Sequence, residues 1–118
     1  MHEMGLADAV LKTVERIRTQ ENAARVRSVT VELGDLSGVV PRFLAECWEA
    51  VTANTAYDGV ELRLHPVPAT ARCEDCGEVF VVSLDDLRCP HCRSVRLTPL
   101  SGRELTIAEI EVSEEDEP

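Results

Sequence analysis

The stretch CEDCGEVFVVSLDDLRCPHC, residues 73–92, decides the fold prediction because it holds four of the five cysteines of the chain. They form two Cys-x-x-Cys pairs separated by twelve residues: Cys73 with Cys76, and Cys89 with Cys92. Each pair can form a tight turn that points two thiolates the same way, and two such turns complete the tetrahedron that Zn(II) prefers. Four thiolates leave no coordination position open for a substrate. The sequence therefore predicts a structural zinc, with a redox dithiol as the weaker alternative.

Hydrophobic periodicity outside the cysteine segment predicts two helices and three strands. Apolar residues spaced by three and four predict a first helix, whose buried face consists of Leu6, Val10, Val14 and Ile17. Pro41 fits the first position of a second helix. The buried stripe of that helix is predicted to consist of Phe43, Leu44, Cys47, Trp48 and Val51. Alternating apolar residues predict strands in VRSVTVELG, which ends at Gly34, in VELRLHPV and in ELTIAEIEV.

The order of these elements predicts the fold class. Two helices on one face of a three-stranded sheet would bury both apolar stripes, so the class is α+β. The cysteine segment falls between the second and third strands, which makes it an inserted zinc-ribbon-like module. The predicted domains are residues 1–68 plus 101–118 and, inserted between them, the zinc-binding residues 69–100. The inserted module has few apolar side chains, so we expect it to need its metal in order to fold.

The charge distribution argues against nucleic-acid binding. The chain of 118 residues carries a formal net charge of −10, and the segment 101–118 has seven acidic residues and one basic residue. Nucleic-acid binding depends mainly on Lys and Arg side chains that neutralise phosphates. No apolar run is long enough for a membrane span and no signal peptide is visible, so we expect a cytoplasmic protein. The sequence shows no nucleophile–base pair, phosphate loop or open metal site, and we expect no enzyme activity.

His2 stands directly behind the amino terminus, where it can complete a chelate. Because His2 is large, Met1 is expected to be retained. The amine of Met1, the amide nitrogens of His2 and Glu3, and the His2 imidazole would then offer four nitrogen donors in one plane, an arrangement that suits Ni(II) or Cu(II). Taken alone, a histidine at position 2 is a weak signal, and chance placement is the alternative.

Four segments together resemble the HypA/HybF family, the nickel metallochaperones that mature [NiFe]-hydrogenases. They are the opening MHE, the stretch VTVELGDLSGVVP, the cysteine segment with its CPHCRS end, and SGRELTIAEIEV. The resemblance implies that Met1, His2 and Glu3 carry transported Ni(II). It also implies structural Zn(II) on the four paired cysteines. The implied partners are the nickel-handling GTPase of the same pathway and the hydrogenase large-subunit precursor.

The chain departs from the family at the zinc loop and in the loop before the second helix. Glu78 and Arg93 stand where some relatives carry histidines, so a histidine-based pH switch is not expected here. Some relatives use an acidic residue before the second helix. This chain offers Asp35 there, which leaves open whether a carboxylate joins the nickel site. We expect His65 and His91 to be unconnected with metal and Cys47 to lie in the core.

A second function stays open beside the nickel carrier. The chain could be a zinc-ribbon adaptor that binds protein and has no nickel role. A measurement of nickel binding to the untagged protein distinguishes the two functions, because an adaptor would bind zinc and no nickel.

Overall fold

The computed structural model describes residues 2–113, which form two helices and six strands. In chain order these are α1 (His2–Gln20), β1 (Arg25–Gly34), α2 (Pro41–Thr52), β2 (Glu61–Val67), β3 (Thr70–Cys73), β4 (Val79–Val81), β5 (Leu97–Ser101) and β6 (Leu105–Ser113). One three-stranded sheet has the order β2-β1-β6, and a second has the order β4-β3-β5. The predicted α+β class is confirmed, with both helices and the three predicted strands in place.

Helix α1 begins at the second residue of the chain and buries the predicted face. Ala7, Val10 and Val14 are buried, while Leu6 and Ile17 are half-buried. The helix ends where Asn22 adopts a left-handed conformation with φ of 54°. Ala23 then donates its N–H to the carbonyl of Arg18 at 3.1 Å, which satisfies a carbonyl that the helix leaves without a partner.

Strand β1 is the centre of the first sheet, and its position explains its burial. Val29, Val31 and Leu33 are buried on one face, as predicted. Ser28 and Thr30 on the other face are buried too, because a central strand is flanked on both sides by the side chains of its neighbours. Ser28 Oγ donates a hydrogen bond to a carboxylate oxygen of Glu111 at 3.2 Å.

Helix α2 begins at Pro41, as predicted, but two members of its predicted stripe are not fully buried, since Val51 is half-buried and Phe43 is exposed. Leu44, Cys47 and Trp48 are buried at spacings of three and four, and the Trp48 indole donates its N–H to the carbonyl of Val60 at 2.9 Å. The prediction for Phe43 was wrong, since its side chain is 38% exposed. Phe43 is the neighbour of Leu44, and a step of about 100° around the helix turns it away from the buried stripe.

The described residues divide into two compact units. The first unit comprises residues 2–31, 39–65 and 106–113, and the second comprises Glu32–Gly38 and Pro66–Leu105. The second unit contains the cysteine segment together with its flanking strands and the segment 32–38. The domain boundaries predicted from the sequence, 1–68 plus 101–118 and 69–100, stay a prediction.

The second unit has a small core of its own. Ala69, Ala71 and Val82 are buried in it, and three partly buried apolar residues pack against them: Leu36, Phe80 and Leu97. The sheet β4-β3-β5 was not predicted, because β3 has only four residues and the side chains of β4 and β5 are mostly exposed. Such strands show no clear alternation in the sequence.

Backbone hydrogen bonds tie the segment 32–38 to the rest of the second unit. Gly34 donates its N–H to the carbonyl of Glu104 at 2.9 Å, and Leu36 donates to the carbonyl of Gly102 at 2.8 Å. Asp35 donates to the carbonyl of Val67 at 2.9 Å. A Cβ atom added to Gly34 would lie 2.1 Å from the carbonyl oxygen of Gly102, so these two backbones approach more closely than any side chain would allow.

Neither of the two helices in residues 2–113 combines the length and the apolar character needed to cross a membrane.

Candidate metal centres

The four paired cysteines form one cluster in the second unit. Their Sγ atoms all lie within 4.8 Å of one another, with 3.5 Å between those of Cys73 and Cys92 and 3.6 Å between those of Cys76 and Cys89. These separations are far longer than a disulfide bond of about 2.05 Å. They are close to the edge of about 3.8 Å that Zn–S bonds of about 2.3 Å give a tetrahedron. The cluster therefore fits a metal ion of the size and ligand preference of Zn(II).

Two turns with the same backbone pattern hold the cluster. In the first, Cys73 donates its N–H to the carbonyl of Glu78 at 2.8 Å, and Gly77 donates to the carbonyl of Cys73 at 2.9 Å. In the second, Cys89 donates to the carbonyl of Ser94 at 2.9 Å, and Arg93 donates to the carbonyl of Cys89 at 2.8 Å. The same hydrogen bonds recur at the same offsets, so the two Cys-x-x-Cys pairs fold alike.

The fourth residue after the first cysteine of each pair adopts a left-handed conformation. Gly77 has a φ of 79°, which glycine adopts without steric cost. Arg93 has a φ of 66°, which is unfavourable for a residue with a Cβ atom. The Arg93 guanidinium forms an ion pair with Asp86, with 2.6 Å between nitrogen and oxygen, and this pair fixes the side chain on the surface of the second turn.

Backbone N–H groups favour the thiolate form at the cluster. Burial acts to raise the pKa of Cys73, but the N–H groups of Cys76 and Asp75, and after them the thiols of Cys92 and Cys76, lower that pKa to about 7. The N–H group of Glu78 likewise acts to lower the pKa of Cys76, but burial and the neighbouring thiols raise it, because sulfurs this close do not all ionise easily without a metal. The N–H groups of His91 and Cys92 lie 3.4 and 3.5 Å from the sulfur of Cys89. Metal binding requires deprotonated thiols, so these donors make the cluster a better ligand set.

The cluster is buried on one side and exposed on the other. Cys73 and Cys89, the first cysteines of the two pairs, are fully buried, whereas Cys76 and Cys92 are exposed. The side chain of His91 is exposed, and so is that of His65 in the first unit. Within residues 2–113 this is the one group of three or more His, Cys, Asp or Glu side chains that lie close enough to share an ion.

The second candidate centre lies at the start of α1. Met1 falls outside the described residues, and His2, the first residue of α1, has an exposed side chain. The first N–H groups of a helix have no carbonyl four residues earlier. The backbone hydrogen bonds within α1 therefore do not use the amide nitrogens of His2 and Glu3, which are the two backbone donors predicted to bind nickel.

The carboxylate of Glu3 accepts a hydrogen bond from the backbone just before α2. Glu3 is only 8% exposed, and its Oε2 accepts a hydrogen bond from the N–H of Val40 at 3.2 Å. That N–H, and after it the N–H of Glu3 itself, lower the pKa of the Glu3 carboxyl. This role of the Glu3 side chain was not predicted from the sequence. No sequence signal could have shown it, because the partner is a backbone group 37 residues further along the chain.

Comparisons with known proteins agree with one another. Residues 1–112 match the family model described as hydrogenase/urease nickel incorporation, metallochaperone, hypA. Hydrogenase maturation factor HypA from Streptomyces avermitilis is 41% identical over 112 residues, which cover 93% of this chain and 86% of that protein. HypA from Geotalea uraniireducens is also 41% identical over 112 residues, covering 95% of this chain and 99% of that protein.

A solved structure shows the same fold. The solution structure of the Ni metallochaperone HypA from Helicobacter pylori superposes with a TM-score of 0.66, covering 96% of this chain and 98% of the other. The two sequences are 20% identical, so this likeness concerns the fold alone.

Proposed function

Because the chain belongs to the HypA family of hydrogenase/urease nickel-incorporation metallochaperones, we propose that it binds Ni(II) at its N-terminus and delivers it for [NiFe]-hydrogenase maturation. The match of the family model over residues 1–112 is the observation that carries this proposal. The proposed steps are ligand exchanges on nickel, so the protein acts as a carrier and not as an enzyme. The proposed site of action is the cytoplasm, where thiols stay reduced.

The proposed nickel donors are the amine of Met1, the amide nitrogens of His2 and Glu3, and the imidazole of His2. Four nitrogens in a plane suit Ni(II), and two deprotonated amides cancel its charge of +2. A neutral complex is favourable here, because the N-terminus of a helix disfavours added positive charge. The exposed His2 at the first position of α1 supports this assignment.

The exposed position of the site also supports delivery by direct contact. A planar complex has two open faces, and a ligand from a receiving protein can approach the metal through either of them. The proposed partners are the nickel-handling GTPase of the same pathway and the hydrogenase large-subunit precursor. Both would have to reach His2, at the exposed start of α1.

The proposed occupant of the four-cysteine cluster is structural Zn(II). The S–S separations of 3.5 and 3.6 Å and the all-thiolate donor set fit this ion. When bound, zinc holds the two cysteine turns together. It links residues that the small core around Ala71 could not fix alone.

Nickel titration of the protein with a free N-terminus tests the proposed site. We expect one Ni(II) per chain, with the d–d absorption band of a planar nitrogen complex. The variant His2→Ala should lose this binding, while His65→Ala, which removes another exposed histidine, should keep it. N-terminal acetylation should weaken nickel binding by at least ~10-fold, about 1.4 kcal/mol, and zinc content should stay the same in every form.

Two results would contradict the proposal. Unchanged nickel affinity and an unchanged band in the acetylated protein would exclude the amine as a donor. Full affinity in His2→Ala would place the site elsewhere.

The zinc-ribbon adaptor remains the second candidate, and the surface of the second unit favours it. Six large apolar side chains are exposed there: Val79, Val81, Leu84, Leu87, Val95 and Leu100. Apolar side chains exposed in such number are typical of protein-binding surfaces. Equilibrium dialysis against Ni(II) distinguishes the two functions, because an adaptor with no nickel role would retain zinc and no nickel.

A further inference from the structure

Side chains other than the cysteines connect the two cysteine turns on one side of the cluster. The carboxylate of Asp75, which lies inside the first Cys-x-x-Cys pair, accepts a hydrogen bond from the hydroxyl of Ser94 at 2.5 Å. Its other oxygen accepts a hydrogen bond from the guanidinium of Arg96 at 2.8 Å. Both donors follow the second pair in the sequence. We call Asp75, Ser94 and Arg96 the turn bridge.

Backbone hydrogen bonds support the turn bridge from both turns. The hydroxyl of Ser94 also accepts the N–H of Arg96 at 3.0 Å, and the carbonyl of Arg96 accepts the N–H of Glu74, in the first turn, at 2.8 Å. The carbonyl of Ser94 accepts the N–H of Cys89, in the second turn, at 2.9 Å. The two turns therefore cannot separate on this side unless several of these bonds break.

The turn bridge lies beside one edge of the cluster, the edge between the sulfurs of Cys73 and Cys92. The backbone N–H of Asp75 donates to the sulfur of Cys73, and the backbone N–H of Ser94 donates to the sulfur of Cys92. These two sulfurs are 3.5 Å apart. The side chains of Asp75 and Ser94 thus join the two residues whose N–H groups bind this pair of sulfurs. Hydrogen bonds to metal ligands orient those ligands, so the bridge holds this edge in place.

The opposite edge, between the sulfurs of Cys76 and Cys89, has no such bridge. The two turns repeat the same offsets, and the counterparts of the first two bridge residues are His91 and Glu78. Both of these side chains are exposed, and in the described range 2–113 no hydrogen bond or ion pair joins them. The N–H of Glu78 donates to the sulfur of Cys76, but no side-chain contact holds Glu78 in place.

We propose that Asp75 is a positioning residue of the zinc centre, and that the turn bridge keeps one edge of the cluster closed so that ligand exchange at zinc begins at Cys76. In this first step the Cys76 sulfur leaves the metal and takes up a proton, and a donor atom of an incoming chelator or thiol takes its place. Cys92 is the other exposed sulfur, and it exchanges more slowly because the bridge holds Ser94 against it. This inference rests on the proposed zinc occupancy of the cluster.

The test uses the full-length, zinc-loaded protein, with EDTA to accept the metal and N-ethylmaleimide to alkylate each sulfur as it leaves zinc. Samples taken over time are denatured, and the remaining thiols are labelled with an isotopically heavy form of the reagent. Mass spectrometry with peptide fragmentation then gives the rate at each cysteine, and the unfolded, zinc-free protein gives the intrinsic rates for correction. A metal indicator follows zinc loss, and circular dichroism reports on folding.

Four variants change the turn bridge, and a fifth is the control. Asp75→Ala removes the shared acceptor, and Ser94→Ala removes one donor, whereas Ser94→Thr keeps a hydroxyl. Asp75→Asn keeps the size of the side chain and loses its charge. Asp86→Ala is the matched control, because the Asp86 side chain is 45% exposed against 42% for Asp75, and its ion pair with Arg93 does not involve the first turn.

We expect the parent to be alkylated ~5-fold faster at Cys76 than at Cys92, on the scale of one net hydrogen bond. Asp75→Ala and Ser94→Ala should bring this ratio close to one and should speed zinc loss to EDTA by a similar ~5-fold. Ser94→Thr and Asp86→Ala should behave as the parent does. Asp75→Asn should give an intermediate ratio, and it replaces Asp75→Ala if that variant does not retain zinc.

Three results would each overturn this inference. They are equal corrected rates at Cys76 and Cys92 in the parent, an unchanged ratio in the variants of both Asp75 and Ser94, and an equal change of the ratio in Asp86→Ala. Any of these results in a zinc-loaded protein would leave the proposed occupant of the cluster in place. A parent that binds no zinc at the four cysteines would overturn that occupant together with the inference.

Discussion

Val40 donates its backbone N–H to the carboxylate of Glu3, with 3.2 Å between Val40 N and Glu3 Oε2. Val40 is the residue that precedes α2, and its own side chain cannot accept a hydrogen bond there. The residue after His2 therefore supplies a charged acceptor to the backbone at the start of the other helix. This bond fixes the start of α1 and defines the surroundings of the proposed nickel donors.

The two roles assigned to Glu3, its carboxylate as a hydrogen-bond acceptor and its amide nitrogen as a nickel donor, can be tested separately. We expect Glu3→Ala to lower the melting temperature, because the N–H of Val40 loses its acceptor, and Glu3→Gln to lower it less, because an amide oxygen can still accept. Both variants keep the amide nitrogen of residue 3. Their nickel complexes should thus show the same d–d band as the parent, and a shifted band would show that the carboxylate is a ligand.

Metal removal should act on the second unit. We expect a strong chelator to remove zinc and to disorder residues 69–100, because the core around Ala71 is small and the four sulfurs would lose their common partner. Trp48 is the single tryptophan of the chain and is buried in the first unit, where it donates to the carbonyl of Val60. Its fluorescence should keep a blue-shifted maximum, and a red shift would show that both units unfold together.

The same result should follow from single substitutions in the cluster. Cys73→Ser and Cys92→Ser should lose zinc, because each removes one of four thiolates. Cys47→Ser is the control, since Cys47 is buried on the stripe of α2 in the first unit. Zinc analysis of the purified variants decides the matter, and loss of zinc from Cys47→Ser alone would reverse the assignment.

Gly102 should tolerate no side chain. Its φ is 86°, and an added Cβ would lie 2.4 Å from both the Cα and the Cβ of Ala69. We expect Gly102→Ala to lower the free energy of unfolding by about 3 kcal/mol or more, from the backbone conformation and the overlap together. Gly59 has a φ of 84° but open space around it, so Gly59→Ala should cost only about 1 kcal/mol. Urea unfolding of the zinc-loaded proteins measures both, and equal losses would mean that the overlap is relieved.

The contacts of Glu15 with Arg18 and Tyr57 should make stability depend on pH in the acid range. The Arg18 guanidinium, and after it the hydroxyl of Tyr57, lower the pKa of Glu15 to about 2 from an ordinary value of 4.5. A lowered carboxyl pKa contributes stability that is present above pH 4.5 and is lost as the pH falls toward 2. Because the Glu15 side chain is 44% exposed, screening reduces this contribution to about 1 kcal/mol.

Substitution of Glu15 tests this dependence. Glu15→Gln should be less stable than the parent at pH 7, and the difference should shrink between pH 5 and pH 2. Asp8→Asn is the control. It removes a carboxylate from the same helix, but the ion pair of Asp8 with Lys12 lies on the surface, where such pairs contribute little to stability. Urea titrations followed by Trp48 fluorescence give the free energies, and an equal pH dependence in parent and Glu15→Gln would disprove the assignment.

Several features followed from the sequence because their causes are local. The spacing of Val10 and Val14 predicts the buried face of α1, and Pro41 predicts the start of α2, since both depend on helix geometry alone. Each Cys-x-x-Cys pair makes its own turn, as its spacing predicts, and this turn brings the two sulfurs of the pair together. Alternation likewise predicts β1, whose buried valines occupy one face.

Other features were decided by the tertiary structure alone, because they depend on which distant groups come into contact. The exposure of Phe43 depends on how far the core extends around α2, and the pattern of apolar residues in the sequence does not specify this. The bond from Val40 to Glu3 involves a backbone N–H, which every residue except proline carries and which no residue type signals. The close approach of Gly34 to Gly102 joins residues 68 positions apart. Such pairings arise only when the chain has folded, since their partners are chosen by packing and not by local preference.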